Sequence, residues 1–534
     1  MIRAGRPFPV AEPDRFAIRR GFHFSSMLIP SEPPVLTENR RWFRRFVALY
    51  AALFLLLALG LGNRGLNEPD EGRYVNIAQN FLLPGAGLWE PVMSGFGHYD
   101  KPPLVYWSTA LCLKLFGASE WAARLTPFLG ACLTLLALGW AARRWYGREA
   151  AFWSVLICGT LGQFWLLARF LTPDMFMTGW CALGVAFWAE CRHRSGHWGF
   201  WTLSLLCWSL AWWTKATPCL APLAGLALGL KMRGDKDGWK ALRPGLLLPG
   251  ILVLGCAWYV VMMVRHPALK GFFFGRELMG RMTGHVSGRK GPVYYYLGVS
   301  ILAWLPWWPL AVWAAWTDRW AGGRAGLRDL AAKLGPEGWI ALTGLVIFSL
   351  ISSKLPTYTL CLTPWVALLM TRAILRWKTR AGQAQFRGWM AALSVGIVLL
   401  YGAVVFVAPR YEAGFGANSS LRPLREALRG KAAAAVCFDR HWPGAEFYLG
   451  PNVYFITDDS IQQRSDDEGD AGVLKKAHFY TTKELRGFLT SSAPAPAWLV
   501  RYRRAKTSPF DSLVVESKPL ERLEVGDFIL WRLR

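Results

Sequence analysis

The residues of this chain best suited to chemistry are carboxylates set beside lysines, arginines and tyrosines in short motifs between long apolar runs. NEPDEGRYVNIAQNFL puts Asp70 and Glu71 directly after Pro69, which suits a first helical turn. Both then sit near the positive end of a helix dipole, where a carboxylate stays ionised and can accept a proton or bind a cation. Arg73 lies three residues on, close enough to orient Asp70; a capped surface helix with an ordinary salt bridge would use the same residues. HYDKPPLVYW sets His98, Asp100 and Lys101 before a Pro-Pro pair that fixes an extended backbone. A lysine there is a point charge for phosphate or an interfacial snorkel, and His98 with Asp100 offers nitrogen and oxygen ligands to a divalent metal, zinc or magnesium. TPDMF places Asp174 where two apolar segments meet, with Arg169 just before it; an ionisable residue at such a depth is costly, hence a site candidate as well as a helix N-cap.

Two further stretches carry cations. RHPALKGFFFGRELMGRMTGHVSGRKGP interleaves Arg276, Arg281, Arg289 and Lys290 with an FFF run, a composition that fits an anionic lipid headgroup, and holds His285 as another metal-ligand candidate. In SSKLPTYTL, Lys354 ends one apolar run and Pro356 opens the next, so the unpaired N–H groups of a first turn face outward beside Thr357 and Tyr358 as an anion site. An interfacial Lys-Tyr anchor is the plainer reading of the same residues.

What must position these motifs is a set of membrane spans. Of 534 residues 53% are hydrophobic, and the 18% that are charged cluster between apolar runs, which excludes a single soluble domain. The balance of 61 Lys+Arg against 35 Asp+Glu, a net +26, is that of a polytopic protein with basic loops and needs no nucleic acid as partner. Eleven apolar segments are long enough to span: about 43–62, 121–141, 150–168, 175–191, 198–214, 216–231, 244–264, 293–316, 337–352, 356–375 and 388–408. Basic clusters at Arg40–Arg45, Arg143–Arg148, Arg192–Arg194, Lys231–Lys236, Arg319–Arg328 and Arg376–Arg380 mark the cytoplasmic side, with the N-terminus inside. The outer face then receives 63–120, 169–174, 265–292, 352–356 and everything after 409.

Within 63–120 the spacing of Tyr74, Ile77, Ala78 and Phe81 predicts an amphipathic helix along the membrane surface. Beyond 409, β-branched and aromatic stretches (AAAAVCF, VYFIT, AWLVRY, SLVVES, DFILWRL) and two helix-like ones (LRPLREALRG, TTKELRGFL) alternate with Pro, Gly and Asp, as in a small α/β domain. The chain is thus expected to divide into a basic segment 1–42, a membrane domain 43–408 and an outer domain 409–534. Nine of the ten cysteines lie in or beside apolar runs, where a thiol is a small hydrophobe, and only Cys437 falls in the outer part. No CxxC pair marks a zinc or redox site.

The topology gathers two carboxylates, Asp70 and Asp174, and the cations Lys101, Arg281 and Lys354 on one membrane face. Displacement at a sugar carbon with a lipid phosphate leaving needs both kinds, one to deprotonate or orient the acceptor and one to stabilise charge on the departing phosphate. A transporter or flippase would instead place ionisable residues near helix centres and break helices in paired positions.

PDEGRYVNIAQNFL, YDKPPLVYW, LFGASEWAARLTPFLGA, LTPD and SKLPTYTL, in this order, resemble the bacterial aminoarabinose transferase family and, more broadly, the GT-C glycosyltransferases that include the protein O-mannosyltransferases. The resemblance runs from about 43 to 375. It implies a GT-C fold of 11–13 transmembrane helices and an inner-membrane enzyme that transfers a sugar from undecaprenyl phosphate to lipid A or another envelope acceptor on the periplasmic side. By it Asp70 and Asp174 are the acidic catalytic residues, Arg73 the partner of Asp70, and Lys101, Arg281 and Tyr358 contacts for the donor phosphate. Asp100 becomes the acidic neighbour implicated in metal binding. The family usually has a His after the Glu of the FFFGRELMGRM loop, where this chain has Leu278, so a bound metal would draw on His285 or His98 instead.

Overall fold

Where the sequence is apolar over a helix length, the backbone satisfies its own N–H and C=O groups, and every one of the eleven apolar segments is helical. The computed structural model describes residues 34–280, 290–322, 334–407, 420–431, 435–456, 479–480, 484, 497–503, 510, 514 and 519–533. The chain divides into two units, Met1–Val47 and Ala48–Arg534. In the first, the described residues begin helix α1 (Pro34–Ala58), with Arg45 over the ring of Trp42.

The second unit carries the rest. α2 (Asp70–Asn80) and α3 (Leu104–Phe116) belong to the first outer stretch. α4 (Leu125–Gly159) joins two expected segments and breaks at Gly147, where the expected basic turn lies. α5 (Pro173–His193) packs along α4, and α6 (Trp198–Lys215) along α5. The α4–α5 approach is backbone to backbone: a Cβ on Gly130 would meet the Met175 carbonyl at 2.7 Å, and one on Gly179 would meet the Gly130 carbonyl at 2.7 Å. Small residues at a helix crossing allow this closeness in a membrane bundle. α7 (Leu220–Met232) and α8 (Pro244–Arg265) follow. α9 (Tyr295–Ala303) and α10 (Trp307–Gly322) form one apolar run bent by 102°. α11 (Pro336–Leu350) packs on α7, α12 (Thr363–Ala381) on α4, and α13 (Gln383–Val407) closes the series.

Among the described residues four helical stretches are long and apolar enough to cross a membrane: Leu125–Gly159, Lys236–Arg265, Pro356–Thr379 and Gln383–Val407. The bent pair raises the number to five, and Leu104–Phe116, Thr217–Met232 and Pro336–Leu350 are shorter apolar helices. The expected segments 43–62, 175–191 and 198–214 also form helices, below that combined measure of length and hydropathy.

The C-terminal part, expected on the outer face and called the outer domain for that reason, has helices α14 (Arg422–Leu428) and α15 (Ala445–Leu449) and a mixed sheet of strands β3 (Ala435–Phe438), β4 (Val453–Ile456), β5 (Phe479–Tyr480), β6 (Ala497–Tyr502), β7 (Glu521–Val525) and β8 (Phe528–Arg532); β1 (Val92–Met93) and β2 (Phe96–Gly97) are a small hairpin in the first stretch expected outside. The sheet order is β5-β4-β3-β6-β8-β7, parallel from β5 to β6 and antiparallel from β6 onward. ERLEV, which the sequence pattern does not mark as a strand, pairs with β8 along its length. Of SLVVES and TTKELRGFL only Val514 and Glu484 lie among the described residues.

The apolar face of α2 is covered by protein: Tyr74, Val75, Ile77 and Ala78 are buried in one core with Val105 and Tyr106 of α3 and with Leu421, Leu424, Trp442, Phe447, Phe455 and Phe528 of the C-terminal domain. Complete burial removes Val75 and Ile77 from water, which contributes about 1.5–3 kcal/mol each.

Candidate active site

The N-terminal turn of α2 turns its two carboxylates in opposite directions. Glu71 points inward and is fully buried. Arg124 donates Nε to its Oε1 and Nη2 to its Oε2, both at 2.8 Å, and Arg64 adds Nη1 to Oε2 at 2.7 Å. The Leu171 and Asn67 amides complete the set at 2.9 Å each. Burial alone would raise this acid, but the Arg124 and Arg64 charges outweigh it and hold the carboxyl down to about 2. Arg124 also donates to the carbonyls of Leu61, Arg64 and Gly65, at 2.7, 2.8 and 2.6 Å. Glu71 is therefore the knot that ties the first outer stretch to the start of α4 and to the turn before α5.

Asp70 points outward, its side chain 54% exposed, with Arg73 Nη2 at 3.3 Å from Oδ1. Arg73 is also within electrostatic reach of Asp100. Next to it, Tyr74 stacks on Tyr106 at a centroid separation of 5.6 Å, and Lys101 Nζ lies 5.7 Å from the centre of the Tyr74 ring. Burial pushes the Tyr74 phenol far up, and Asp70 and Asp174 both act on it electrostatically. Tyr74 therefore links the first-stretch motifs to the mouth of α5.

Asp174 does not cap α5; Thr172 occupies that position with Pro173 after it. Instead Asp174 is buried, and its Oδ1 accepts from Lys215 Nζ at 2.6 Å. Lys215 Nζ also lies 4.9 Å from the centre of the Tyr358 ring. Lys215 ends α6 and is absent from the residues that the motifs single out, although the sequence carries its signal: the turn between segments 198–214 and 216–231 faces outward by the same alternation, and Lys215 is its one charge.

Tyr358 is buried in a tight 3-10 run, Pro356–Leu362, that precedes α12, so Pro356 opens a 3-10 segment rather than the α-helix itself. Lys354 does not face outward: its Nζ donates to the carbonyls of Phe348 and Ser349, at 3.0 and 2.6 Å, closing the C-terminal end of α11. It remains adjacent, because Phe348 lies 5.6 Å from Tyr358 ring to ring, and Lys354 Nζ lies 5.4 Å from the centre of the Tyr296 ring. Two groups result: Asp70, Arg73, Asp100 and Lys101 about Tyr74, and Asp174, Lys215 and Tyr358 with Lys354 behind Phe348; the action of Asp174 on Tyr74 joins them electrostatically.

His98 is buried with Nε2 at 3.5 Å from Asp100 Oδ2. Among the described residues no three His, Cys, Asp or Glu side chains converge on one point. His98 and Asp100 alone do not make a metal site, and Arg281 and His285 lie outside the described residues.

The fold defines the class: a multi-pass helical membrane protein with a C-terminal α/β domain. A model of the dolichyl-phosphate-mannose-protein mannosyltransferase family matches residues 100–262. The undecaprenyl phosphate-alpha-4-amino-4-deoxy-L-arabinose arabinosyl transferase of Pseudomonas paraeruginosa is 30% identical over 372 residues, 68% of this chain and 65% of the relative. The enzyme of that name from Edwardsiella ictaluri is 29% identical over 373 residues, 67% of this chain and 65% of the relative. The chain thus spans just under two thirds of the length of these relatives. The crystal structure of ArnT from Cupriavidus metallidurans bound to undecaprenyl phosphate superposes with a TM-score of 0.70 at 21% identity, over 91% of this chain and 98% of that one. The chain is a relative of the bacterial aminoarabinose transferases and protein mannosyltransferases, with the GT-C fold.

Proposed function

We propose that the protein is an inverting glycosyltransferase that moves a sugar from a polyprenyl-phosphate donor to lipid A or another envelope acceptor. In this reading it sits in the bacterial inner membrane with its N-terminus cytoplasmic and its outer domain periplasmic, divided at 1–42, 43–408 and 409–534. The observation that carries the reading is the pairing of an exposed carboxylate, Asp70, with a line of cations and tyrosines on the same face. The names of the relatives, which specify undecaprenyl phosphate and an aminopentose, support the donor class.

In the reaction the acceptor oxygen attacks the anomeric carbon from the side opposite the phosphate. The new C–O bond forms as the old one to phosphate oxygen breaks, and the electron pair stays on the phosphate. Asp70, oriented by Arg73, takes the proton of an acceptor hydroxyl, or orients an acceptor that is already anionic. Lys101 and Lys215, with Arg281 and the Tyr358 hydroxyl, stabilise the charge that develops on the leaving phosphate. Asp174 holds Lys215 in place and neutralises it until the anionic donor arrives. No step is assigned to a metal.

Mass spectrometry of envelope lipids and glycans tests this in a deletion strain complemented with either wild type or Asp70→Asn. The expected result is a sugar adduct restored by wild type and absent with Asp70→Asn at equal protein level. An adduct restored equally by both would overturn the reading.

A further inference from the structure

The stretch that delivers Asp70 to the line of cations is gripped from the outer domain. Arg422 donates to the carbonyls of Gly62 and Asn63, at 2.6 and 3.1 Å, and to Glu120 at 2.7 Å. The Leu66 amide donates to the Tyr448 hydroxyl at 2.7 Å, and that hydroxyl donates to Glu120 at 3.3 Å. The third hold is Glu68, two residues before Asp70, whose Oε1 accepts from the Gly444 amide at 2.9 Å.

Glu68 is unlike its neighbours. Its side chain is buried, and its Oε2 has no hydrogen-bond partner among the described residues. The carboxyl is wedged between two glycines. A Cβ on Gly72 would lie 2.2 Å from Glu68 Oε1, and one on Gly444 would lie 2.1 Å from the same oxygen and 3.2 Å from the Gly72 Cα. A side chain at either position would have to displace the Glu68 carboxyl, so the two glycines let the first turn of α2 and the turn before α15 close on this group. An ionised carboxylate with a single amide partner is poorly matched to such a place; a neutral acid fits it.

We propose that Glu68 is a positioning residue, a neutral carboxylic acid that clamps the outer domain to the first turn of α2 and so holds Asp70 at the cation line. The proposal rests on Asp70 being the reactive carboxylate, and it gives the outer domain a part in the reaction that does not depend on acceptor capture. The groups that act on Glu68 agree with it. Burial raises its pKa most; the Gly444 amide and Arg73 lower it, Glu71 and Asp70 raise it, and the carboxyl is pushed up to about 8. Loss of its proton at higher pH puts a negative charge between Asp70 and Glu71 with one amide to meet it, and the clamp opens.

The test uses the full-length protein in lipid nanodiscs and two readouts, in wild type, Glu68→Gln and Glu68→Ala. One is hydrogen exchange of peptides covering 62–80, corrected for intrinsic rates, at pH 7 and pH 9.5. The other is turnover against pH with undecaprenyl-phosphate-linked 4-amino-4-deoxy-L-arabinose and lipid A. In wild type, exchange over 62–80 is expected to rise on going to pH 9.5, and turnover to fall above about pH 8. Glu68→Gln, neutral at every pH, keeps wild-type exchange and turnover at pH 7 and loses both alkaline changes. Glu68→Ala shows the open exchange pattern already at pH 7, with turnover about tenfold lower and donor KM unchanged. An alkaline change that persists in Glu68→Gln overturns the proposal, and so does wild-type exchange in Glu68→Ala. If Glu68→Ala does not fold, the Glu68→Gln comparison still decides. Exchange does not depend on the chemistry: the expected exchange pattern with full transfer by Asp70→Asn would leave the clamp standing and sink the reading of Asp70.

Discussion

Asp70 and Glu71 are neighbours on one helical turn, yet they belong to opposite kinds of region. Around Glu71 the structure is closed: two arginines and two backbone amides meet both oxygens, and nothing is left for a ligand. Around Asp70 it is open, with a half-exposed carboxylate, one arginine at 3.3 Å, and beyond it lysines held against tyrosine faces, Lys215 also on Asp174. The closed region is what lets the open one exist. A short helix on an outer loop would not hold Asp70 steady without a buried knot one residue away, because exposed ion pairs contribute little.

This contrast breaks first at Glu71. Glu71→Ala leaves Arg124 buried without its carboxylate, and breaking such a pair costs about 3–5 kcal/mol. A denaturation series in detergent should show the loss directly, whereas an unchanged midpoint would mean that the knot is not structural. In the open region the sharpest probe is the Asp174–Lys215 pair. Asp174→Asn and Lys215→Met should each lower turnover, and the double variant should lose less than the two effects multiplied, with a coupling of about 0.5–3 kcal/mol. Independent effects in that cycle would separate the two residues. Lys101→Met should raise donor KM about tenfold, roughly 1.4 kcal/mol, while Lys354→Met, which uncaps α11, should lower the melting temperature more than it changes donor KM.

The smallest effects are in pH. Glu71 is held down to about 2 from an ordinary 4.5, so its contribution to stability is complete above about pH 4.5 and is lost as pH falls toward 2. Glu68 runs the other way. Its acid is pushed up from 4.5 to about 8, so the folded state keeps a proton that the unfolded state releases, and stability declines as pH rises between those values. Melting temperatures should therefore fall less steeply between about pH 4.5 and 8 in Glu68→Gln than in wild type.

Much of the fold is legible in the amino-acid sequence. Apolar length alone marks the helices, because a membrane-spanning backbone has few alternatives to a helix. The Asp70–Arg73 contact follows from a separation of three residues on a helix. Less legible are the partners that chain order keeps apart. Glu71 meets Arg124 across 53 positions and Glu68 meets Gly444 across 376, and no local spacing encodes either contact. What covers the apolar stripe of α2 is illegible for the same reason: the stripe is equally compatible with lipid and with the C-terminal domain, and only the fold shows that Trp442, Phe447 and Phe455 share its core. Lys354 shows a local limit, since a lysine at a helix end serves a phosphate or its own helix carbonyls with the same residue pattern.

The central claim is that Asp70 acts on the acceptor while its neighbour only holds the fold. It is tested most directly by turnover of purified Asp70→Asn with an undecaprenyl-phosphate-linked sugar, measured beside its melting temperature. The account predicts a loss of about 10²–10⁴-fold with the melting temperature of wild type. Wild-type turnover in a folded Asp70→Asn protein would contradict it.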